Sequence, residues 1–204
     1  MPTLASRPIG PTGLGMMPLI FRHGHPTLEA QPAAFAVLRT AIEAGCTLLD
    51  AGELYALKPD YTSLDLLAAY FARYPGDAEK VVLNVKGAFD RATMSPVGTP
   101  EGIRTSVENC VRSLGGKAKI DIFEMARVDP KVPIQESMKT LDALVKEGLI
   151  GGVALSEVSA ETIRKAAEVT KIVAVEVELS FTTREPLGNG ILETCAELGV
   201  PVLA

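Results

Sequence analysis

The sequence lacks the long apolar runs of membrane proteins and the cysteine pattern of secreted ones. No run reaches the roughly 18 apolar residues that a membrane-spanning helix needs, and no charged segment followed by an apolar one marks a secretory signal. The three cysteines, Cys46, Cys110 and Cys195, have apolar neighbours, as buried thiols of a reducing compartment do. We therefore expect a cytoplasmic protein with no disulfide framework and no membrane partner.

Basic stripes and histidine clusters are also scarce. The formal net charge is -5, and no stripe of lysine and arginine is present, so we expect no nucleic-acid partner. The two histidines, His23 and His25, have no cysteine or carboxylate at ligand spacing, so we expect no metal. They either line a site after the first strand, where His23 would contact a substrate, or are solvated loop imidazoles.

What the chain does contain is a repeated order of helix, glycine and apolar strand. With 204 residues, 47% hydrophobic and 22% charged, it can bury a core as one domain, 1–204, or form part of a larger domain. A turn-rich hairpin is expected at 7–15. The predicted helices cover 35–42, 64–71, 103–114, 133–145, 159–167 and 191–198, and the predicted strands cover 16–21, 47–49, 81–85, 120–123, 149–155, 172–177 and 200–204.

The strands are continuous apolar runs without alternation, which predicts parallel strands covered by helices, an α/β fold. No Gly-x-Gly-x-x-Gly stretch follows a strand, so a barrel is favoured over a Rossmann sheet. Polar residues lie at or just beyond five strand ends: Asp50, Lys86, Glu124 with Arg127, Ser156 with Glu157, and Glu176 with Glu178. In a (β/α) barrel such ends face one mouth, although strand ends are also simply where polarity returns.

The run 48–55 has the composition of a buried strand that ends in a turn and carries Asp50 and Tyr55. A phenol with a pKa of about 10 is a poor acid near neutrality. A nearby ammonium such as Lys86 favours the phenolate, and a carboxylate such as Asp50 holds that ammonium in place. Together they would protonate the oxygen of a carbonyl group whose carbon receives a hydride. An ordinary salt bridge and a half-buried loop tyrosine explain the same residues.

Five segments, in this order and spacing, resemble the aldo-keto reductase family: 48–55, 85–87, 120–123, 150–156 and 175–180. Within that family, the amino-acid sequences of three segments are similar to those of the fungal pyridoxal reductase branch: 51–55, 59–64 and 124–130. The resemblance covers essentially the whole chain. It implies a (β/α)8 TIM-type barrel.

The resemblance further implies NADP(H)-dependent reduction of a small-molecule aldehyde, pyridoxal to pyridoxine, by hydride transfer. Tyr55 would be the general acid, tuned by Lys86 and Asp50. The residues implied at the cofactor are Ser156, Glu157, Glu176 and Asp50, with Ser156 on the nicotinamide carboxamide.

Three positions depart from the family pattern. Ala126 stands where most members have a histidine that orients the carbonyl, and the adjacent Arg127 is a candidate substrate-binding replacement. Glu157 and Glu176 stand where amides are common. An ionised glutamate accepts a hydrogen bond but cannot donate one, which would alter the contacts to nicotinamide.

The family barrel has eight strands and eight helices, whereas this chain has about seven and six before Ala204. We expect a C-terminally truncated barrel whose unclosed edge strands self-associate or pair with another segment. The alternative function is therefore a non-catalytic or truncated aldo-keto reductase-like protein that serves as a binding or interaction module.

Overall fold

The computed structural model describes residues 2–21, 31–56 and 61–204. Its internal contacts cluster into two compact units, which we describe separately. Unit 1 consists of Met1–Lys86 and Glu108–Asp121, and unit 2 consists of Gly87–Val107 and Ile122–Ala204. The single domain expected from the sequence, 1–204, stays a prediction. Within the described ranges, no helix is both long and apolar enough to span a membrane.

The elements that begin in unit 1 are β1 (Thr3–Leu4), β2 (Arg7–Pro8), β3 (Gly13–Gly15), α1 (Met17–Phe21), α2 (Gln31–Glu43), β4 (Leu48–Gly52), α3 (Ser63–Arg73) and β5 (Val82–Gly87). Strands β3, β4 and β5 are parallel neighbours in that order. Both β4 and β5 are almost wholly buried, which agrees with the continuous apolar runs that predicted them.

Two predictions near the N-terminus are wrong. The hairpin is formed by β1 and β2 rather than by 7–15, and 13–15 is a parallel strand. The segment Met17–Phe21, expected as a strand, is the short helix α1. Its Pro18 lies in the first turn, where a helix needs no N–H donor, whereas a strand would lose a ladder bond there. Leu19 and Ile20 bury the inner side of this helix.

Helix α3 begins and ends at local signals. Thr62 is its N-cap, accepting from the Leu64 N–H, while Asp65 accepts from the Thr62 N–H, a reciprocal capping box. Ser63, the first helical residue, is fully buried, and its hydroxyl bonds both the N–H and the carbonyl of Gly52 at 2.9 Å. The start of α3 is therefore tied to the end of β4.

The elements that begin in unit 2 are β6 (Phe89–Asp90), β7 (Ser95–Pro96), α4 (Pro100–Leu114), β8 (Ile122–Met125), α5 (Ile134–Lys146), β9 (Val153–Ser156), α6 (Ala160–Ala167), β10 (Ile172–Glu176), α7 (Ile191–Leu198) and β11 (Val202–Leu203). Strands β8 to β11 are parallel and adjacent in chain order. The short β6 and β7 form an antiparallel hairpin. As predicted, Ser159 caps α6, and Gly199 ends α7 in the left-handed region, with φ +65°.

The two units confirm the α/β class. The seven predicted parallel strands are present as β3, β4, β5 and β8 to β11, with β3 in place of the expected 16–21. The described ranges contain seven α-helices rather than six, because α1 was expected as a strand. In each unit the core lies between the buried strands and the apolar faces of the helices.

Candidate active site

In unit 1, three polar side chains share one face of β4 and β5. The strand register pairs Asp50 with Asn84 and Gly52 with Lys86. Because side chains alternate between the two faces of a strand, Asn84 and Lys86 lie on the same face of β5. Their register partners Asp50 and Gly52 lie beside them on β4, on that same face of the sheet. A carboxylate, an amide and an ammonium therefore meet near one end of these strands.

The Asp50 carboxylate binds Lys86 through both oxygens. The Lys86 Nζ lies 2.8 Å from Oδ1 and 2.9 Å from Oδ2, and the lysine side chain is only 7% exposed. Asn84 Nδ2 donates to Oδ1 as well, at 2.9 Å. An ammonium this deeply buried needs a counter-charge, because burying an unpaired charge costs on the order of several kcal/mol. Asp50 supplies that counter-charge.

Tyr55 covers the same strand end. The residue is 8% exposed, and a Cβ built on Gly52 would lie 3.1 Å from the Cγ and Cδ2 of its ring. Its N–H donates to the Gly52 carbonyl, and its own carbonyl accepts from the Ser63 N–H. Since Gly52 pairs with Lys86, the structure brings Tyr55, Lys86 and Asp50 to one end of β4 and β5, as the sequence predicts.

In unit 2, the predicted residues gather at the ends of β8, β9 and β10. Ser156 ends β9, is 3% exposed and pairs in register with Glu176, the last residue of β10. Arg127 Nη1 donates to the Ser156 Oγ at 3.3 Å and to the Ala126 carbonyl at 2.5 Å. The guanidinium expected to replace a histidine at 126 is thus anchored against Ser156.

Glu157 is held by its own chain. Its φ is +52°, in the left-handed region that non-glycine residues rarely adopt. Its N–H donates to the Glu176 carbonyl at 2.9 Å, and its carboxylate accepts from the Glu178 N–H at 2.8 Å. The carboxylate expected beside nicotinamide therefore braces the segment that follows β10.

Of two other predicted positions, one lies inside a strand and one lies outside the described residues. Glu124, expected just beyond a strand, lies inside β8 as its third residue and is fully buried. The strand runs two residues further than its apolar letters suggest, because Glu124 and Met125 continue the ladder with β9. His23 lies outside the described residues, as do His25 and part of the resembling segment 59–64.

Asn84 is not among the site residues that the sequence predicts. The fully buried amide stands in a strand whose other residues before Lys86 are apolar, and it contacts Asp50 directly. A signal was available, because a polar residue two positions before Lys86 must share its face of the strand.

The cysteine thiols take no part in this constellation. Burial, followed by the charge of Glu53, raises the pKa of the Cys110 thiol well above its usual value. Burial also raises the pKa of Cys195. A thiol with a raised pKa is a poor nucleophile near neutrality. Both cysteines act as core residues.

The family model of the aldo/keto reductases matches residues 13–204. The chain belongs to the aldo/keto reductase family. Members generally use nicotinamide cofactors, and homologues act on small-molecule aldehydes. The match covers every strand of the parallel sheets and every α-helix described above.

Among curated proteins, this aldo/keto reductase chain is similar to fungal pyridoxal reductases. It is 45% identical over 204 residues to "Probable pyridoxal reductase 2" of Schizosaccharomyces pombe, covering 100% of this chain and 60% of the relative. It is 38% identical over 202 residues to "Putative pyridoxal reductase" of Saccharomyces cerevisiae, covering 94% and 57%. The chain therefore spans less than two thirds of the length of these relatives.

Solved structures show the aldo/keto reductase fold. A thermostable aldo-keto reductase, Tm1743, in complex with the inhibitor epalrestat has a TM-score of 0.80 at 21% identity, covering 100% of this chain and 71% of that one. The glycerol dehydrogenase AKR11B4 from Gluconobacter oxydans has a TM-score of 0.81 at 23% identity, covering 97% and 59%. The predicted fold class, a TIM-type (β/α)8 barrel represented here by seven strands, is confirmed.

Proposed function

We propose that the chain is an NADP-dependent aldehyde reductase that converts pyridoxal to pyridoxine, with Tyr55 as general acid. One observation carries the proposal: Tyr55 covers the strand end at which a buried Lys86 is held by both oxygens of Asp50. The similarity to proteins named pyridoxal reductases supports the choice of substrate.

The three residues of unit 1 would supply the proton. Asp50 keeps the Lys86 ammonium charged and fixes its position, since a bidentate contact leaves the ammonium little freedom. A fixed positive charge beside the phenol favours the phenolate that forms when Tyr55 gives its proton to the carbonyl oxygen. When bound, NADPH supplies the hydride.

The residues of unit 2 fit one end of the cofactor. A carboxamide offers a carbonyl acceptor and an N–H donor, and needs a donor and an acceptor in return. Ser156 and Glu176 supply a hydroxyl and a carboxylate on neighbouring residues of paired strands. Glu157, in contrast, already uses its Oε1 to accept from the Glu178 N–H. We therefore assign the carboxamide to Ser156 and Glu176.

Arg127 is our candidate for orienting the substrate. A guanidinium has five N–H donors, and both contacts of Arg127 described above use Nη1. Its other donors would bind an electron-rich substrate oxygen in place of the histidine that most of the family has at position 126. The proposed contact of His23 with substrate rests on the sequence alone.

Replacing Tyr55 by phenylalanine tests the function. Tyr55→Phe keeps the ring over Gly52 and removes the proton, so we expect pyridoxal-dependent oxidation of NADPH to fall by roughly 10²- to 10⁴-fold. The unfolding midpoint should stay close to that of the wild type. The control is Tyr74→Phe. Tyr74 belongs to the same unit, follows α3 and contacts the rings of Phe35 and Tyr70, so this change should leave turnover unchanged. Unaltered turnover in Tyr55→Phe would overturn the role of Tyr55.

The second candidate, a non-catalytic reductase-like binding module, is favoured by one observation. One oxygen of the Glu157 carboxylate, expected beside nicotinamide, is engaged by the Glu178 N–H of its own chain. A module of this kind would not need to bind nicotinamide. Binding of NADPH to the purified chain therefore separates the two candidates.

A further inference from the structure

We propose that Asn84 is a positioning residue that fixes the orientation of the Asp50 carboxylate, and through it the Lys86 ammonium. The inference rests on the proposed function for its catalytic consequence. Its structural content, that the amide of Asn84 sets the geometry of the Asp50–Lys86 pair, can be tested without turnover.

The placement of Asn84 supports this role. The residue is fully buried in the middle of β5, between the apolar Leu83 and Val85. A buried amide costs free energy unless it is hydrogen-bonded, so an apolar residue would serve a purely structural position as well or better. The Nδ2 group of Asn84 donates to the Oδ1 of Asp50 at 2.9 Å, from the position directly opposite in the register.

Lys86 alone cannot hold the carboxylate in one orientation. An ammonium on a four-carbon stem carries three donors that rotate, so it follows a carboxylate that turns about its Cβ–Cγ bond. Asn84 reaches Oδ1 from a short, two-torsion side chain that is packed on a buried strand. The planar amide therefore fixes which oxygen faces Asn84, and both oxygens of the carboxylate so oriented contact the Lys86 ammonium.

Kinetics test the catalytic consequence. Asn84→Leu removes the donor at similar volume, and Asn84→Ser keeps a hydroxyl donor on a shorter side chain. We expect kcat for pyridoxal reduction to fall about tenfold in Asn84→Leu, since one charge-assisted hydrogen bond is lost, while KM stays unchanged. Asn84→Ser should recover part of the loss. A matched control is Ser137→Ala, which deletes another buried hydrogen bond, from Ser137 Oγ to the Gly98 carbonyl at 2.8 Å. It should lower stability without changing kcat.

Nuclear magnetic resonance of protein labelled with ¹⁵N-lysine tests the geometry independently of activity. The Lys86 ammonium signal is identified by its loss in Lys86→Met. We expect this signal to shift, and its hydrogen exchange to accelerate, in Asn84→Leu but not in Ser137→Ala. An unchanged signal in a folded Asn84→Leu protein, or in Asn84→Ala if the leucine variant does not fold, would overturn the proposal. If the signal moves but the wild type does not turn over pyridoxal, the proposed function fails and the positioning role of Asn84 stands.

Discussion

Asp50 and Asp77, two carboxylates of unit 1, each accept hydrogen bonds from two side chains, but with different partners. Asp50 is held by Asn84 and Lys86, both of which are buried. Asp77 accepts from the Tyr70 hydroxyl at 2.6 Å and from the exposed Lys80 at 2.7 Å. The first arrangement fixes a charge next to a tyrosine, whereas the second ties the end of α3 to the turn that follows it.

The pKa values of Tyr70 and Asp77 diverge for physical reasons. Burial, and then the hydrogen bond to Asp77, raises the pKa of the Tyr70 phenol, which stays protonated as a donor. For Asp77, burial is the largest single effect and acts to raise the pKa. Hydrogen bonds from Lys80 and Tyr70, together with the charge of Lys80, outweigh burial, so the pKa of Asp77 is lowered.

We expect Tyr70→Phe to lower the free energy of unfolding at neutral pH by about 1.5–3 kcal/mol, because an ionised acceptor loses its donor. A carboxylate whose pKa is lowered by folding stabilises the protein above its unfolded pKa of about 4, and that stability is lost as the pH falls through the folded value. The cost of Tyr70→Phe should therefore shrink in acid. Urea denaturation at a series of pH values from 7 down to 2 checks this, and a cost that stays constant over the series would contradict it.

Residue types predict only part of these contacts. Asp50, Tyr55 and Lys86 are recognisable because each follows or ends an apolar run. Asn84 is not, since a single amide inside such a run changes no period. The contact between Tyr70 and Asp77 depends on how the chain turns after α3. The identities of these two residues do not predict that turn.

At the scale of elements, the ends of helices were predictable where the backbone conformation or an unpaired N–H favours one residue type. Gly45 follows α2 with φ +87°, and Ser159 caps α6 with its hydroxyl. The prediction failed at Met17–Phe21, where a short apolar run fits a strand and a buried helix equally well. The proline in its first turn was the available signal.

Gly52, at the end of β4, leaves room for the ring of Tyr55, the proposed general acid. A Cβ at Gly52 would lie 3.1–3.2 Å from three ring atoms of Tyr55, too close unless the ring shifts by a few tenths of an ångström. We expect Gly52→Ala to displace the phenol and lower kcat about tenfold with little change in KM, because proton transfer depends steeply on position.

Gly15→Ala is the matched control for Gly52→Ala. Gly15 ends the neighbouring strand β3, and a Cβ there would meet no atom of the described residues within 4 Å. Neither glycine has a positive φ, so backbone strain does not separate the two variants. Steady-state kinetics and thermal unfolding of both variants check the prediction. Equal kcat in the two variants would show that the ring of Tyr55 is not sensitive to Gly52.

For the whole molecule, the repeated order of helix, glycine and strand was sufficient to predict the α/β class, whereas the barrel was predicted from the polar strand ends and the family resemblance. The central parallel strands β5, β8 and β9 are buried throughout and are mainly apolar, and each crossover helix carries its own period. The division of the contacts into two units was not predictable, because it depends on distances between residues far apart in the chain. Helix α4 is divided between the units after Val107, yet its helical pattern of apolar residues continues across that point without a change.

Cofactor binding is the property of the whole molecule that decides between the two candidate functions. A ligand that binds only the folded chain must raise its stability, by about 2.7 kcal/mol at a hundred times the dissociation constant. If the chain is a reductase, NADPH should raise the thermal unfolding midpoint in proportion to the logarithm of its concentration. Ser156→Ala removes the hydroxyl assigned to the carboxamide, so it should reduce this rise.

Ser180→Ala is the matched control in that titration, because Ser180 is an exposed serine of the same unit whose hydroxyl serves the turn after β10. It should leave the dependence on NADPH as in the wild type. Binding of nicotinamide at Ser156 and Glu176 predicts a loss in Ser156→Ala alone, since nonspecific stabilisation by a polyanion would affect both variants equally. A midpoint that does not respond to NADPH in the wild type would reject the reductase for this chain and favour the binding module.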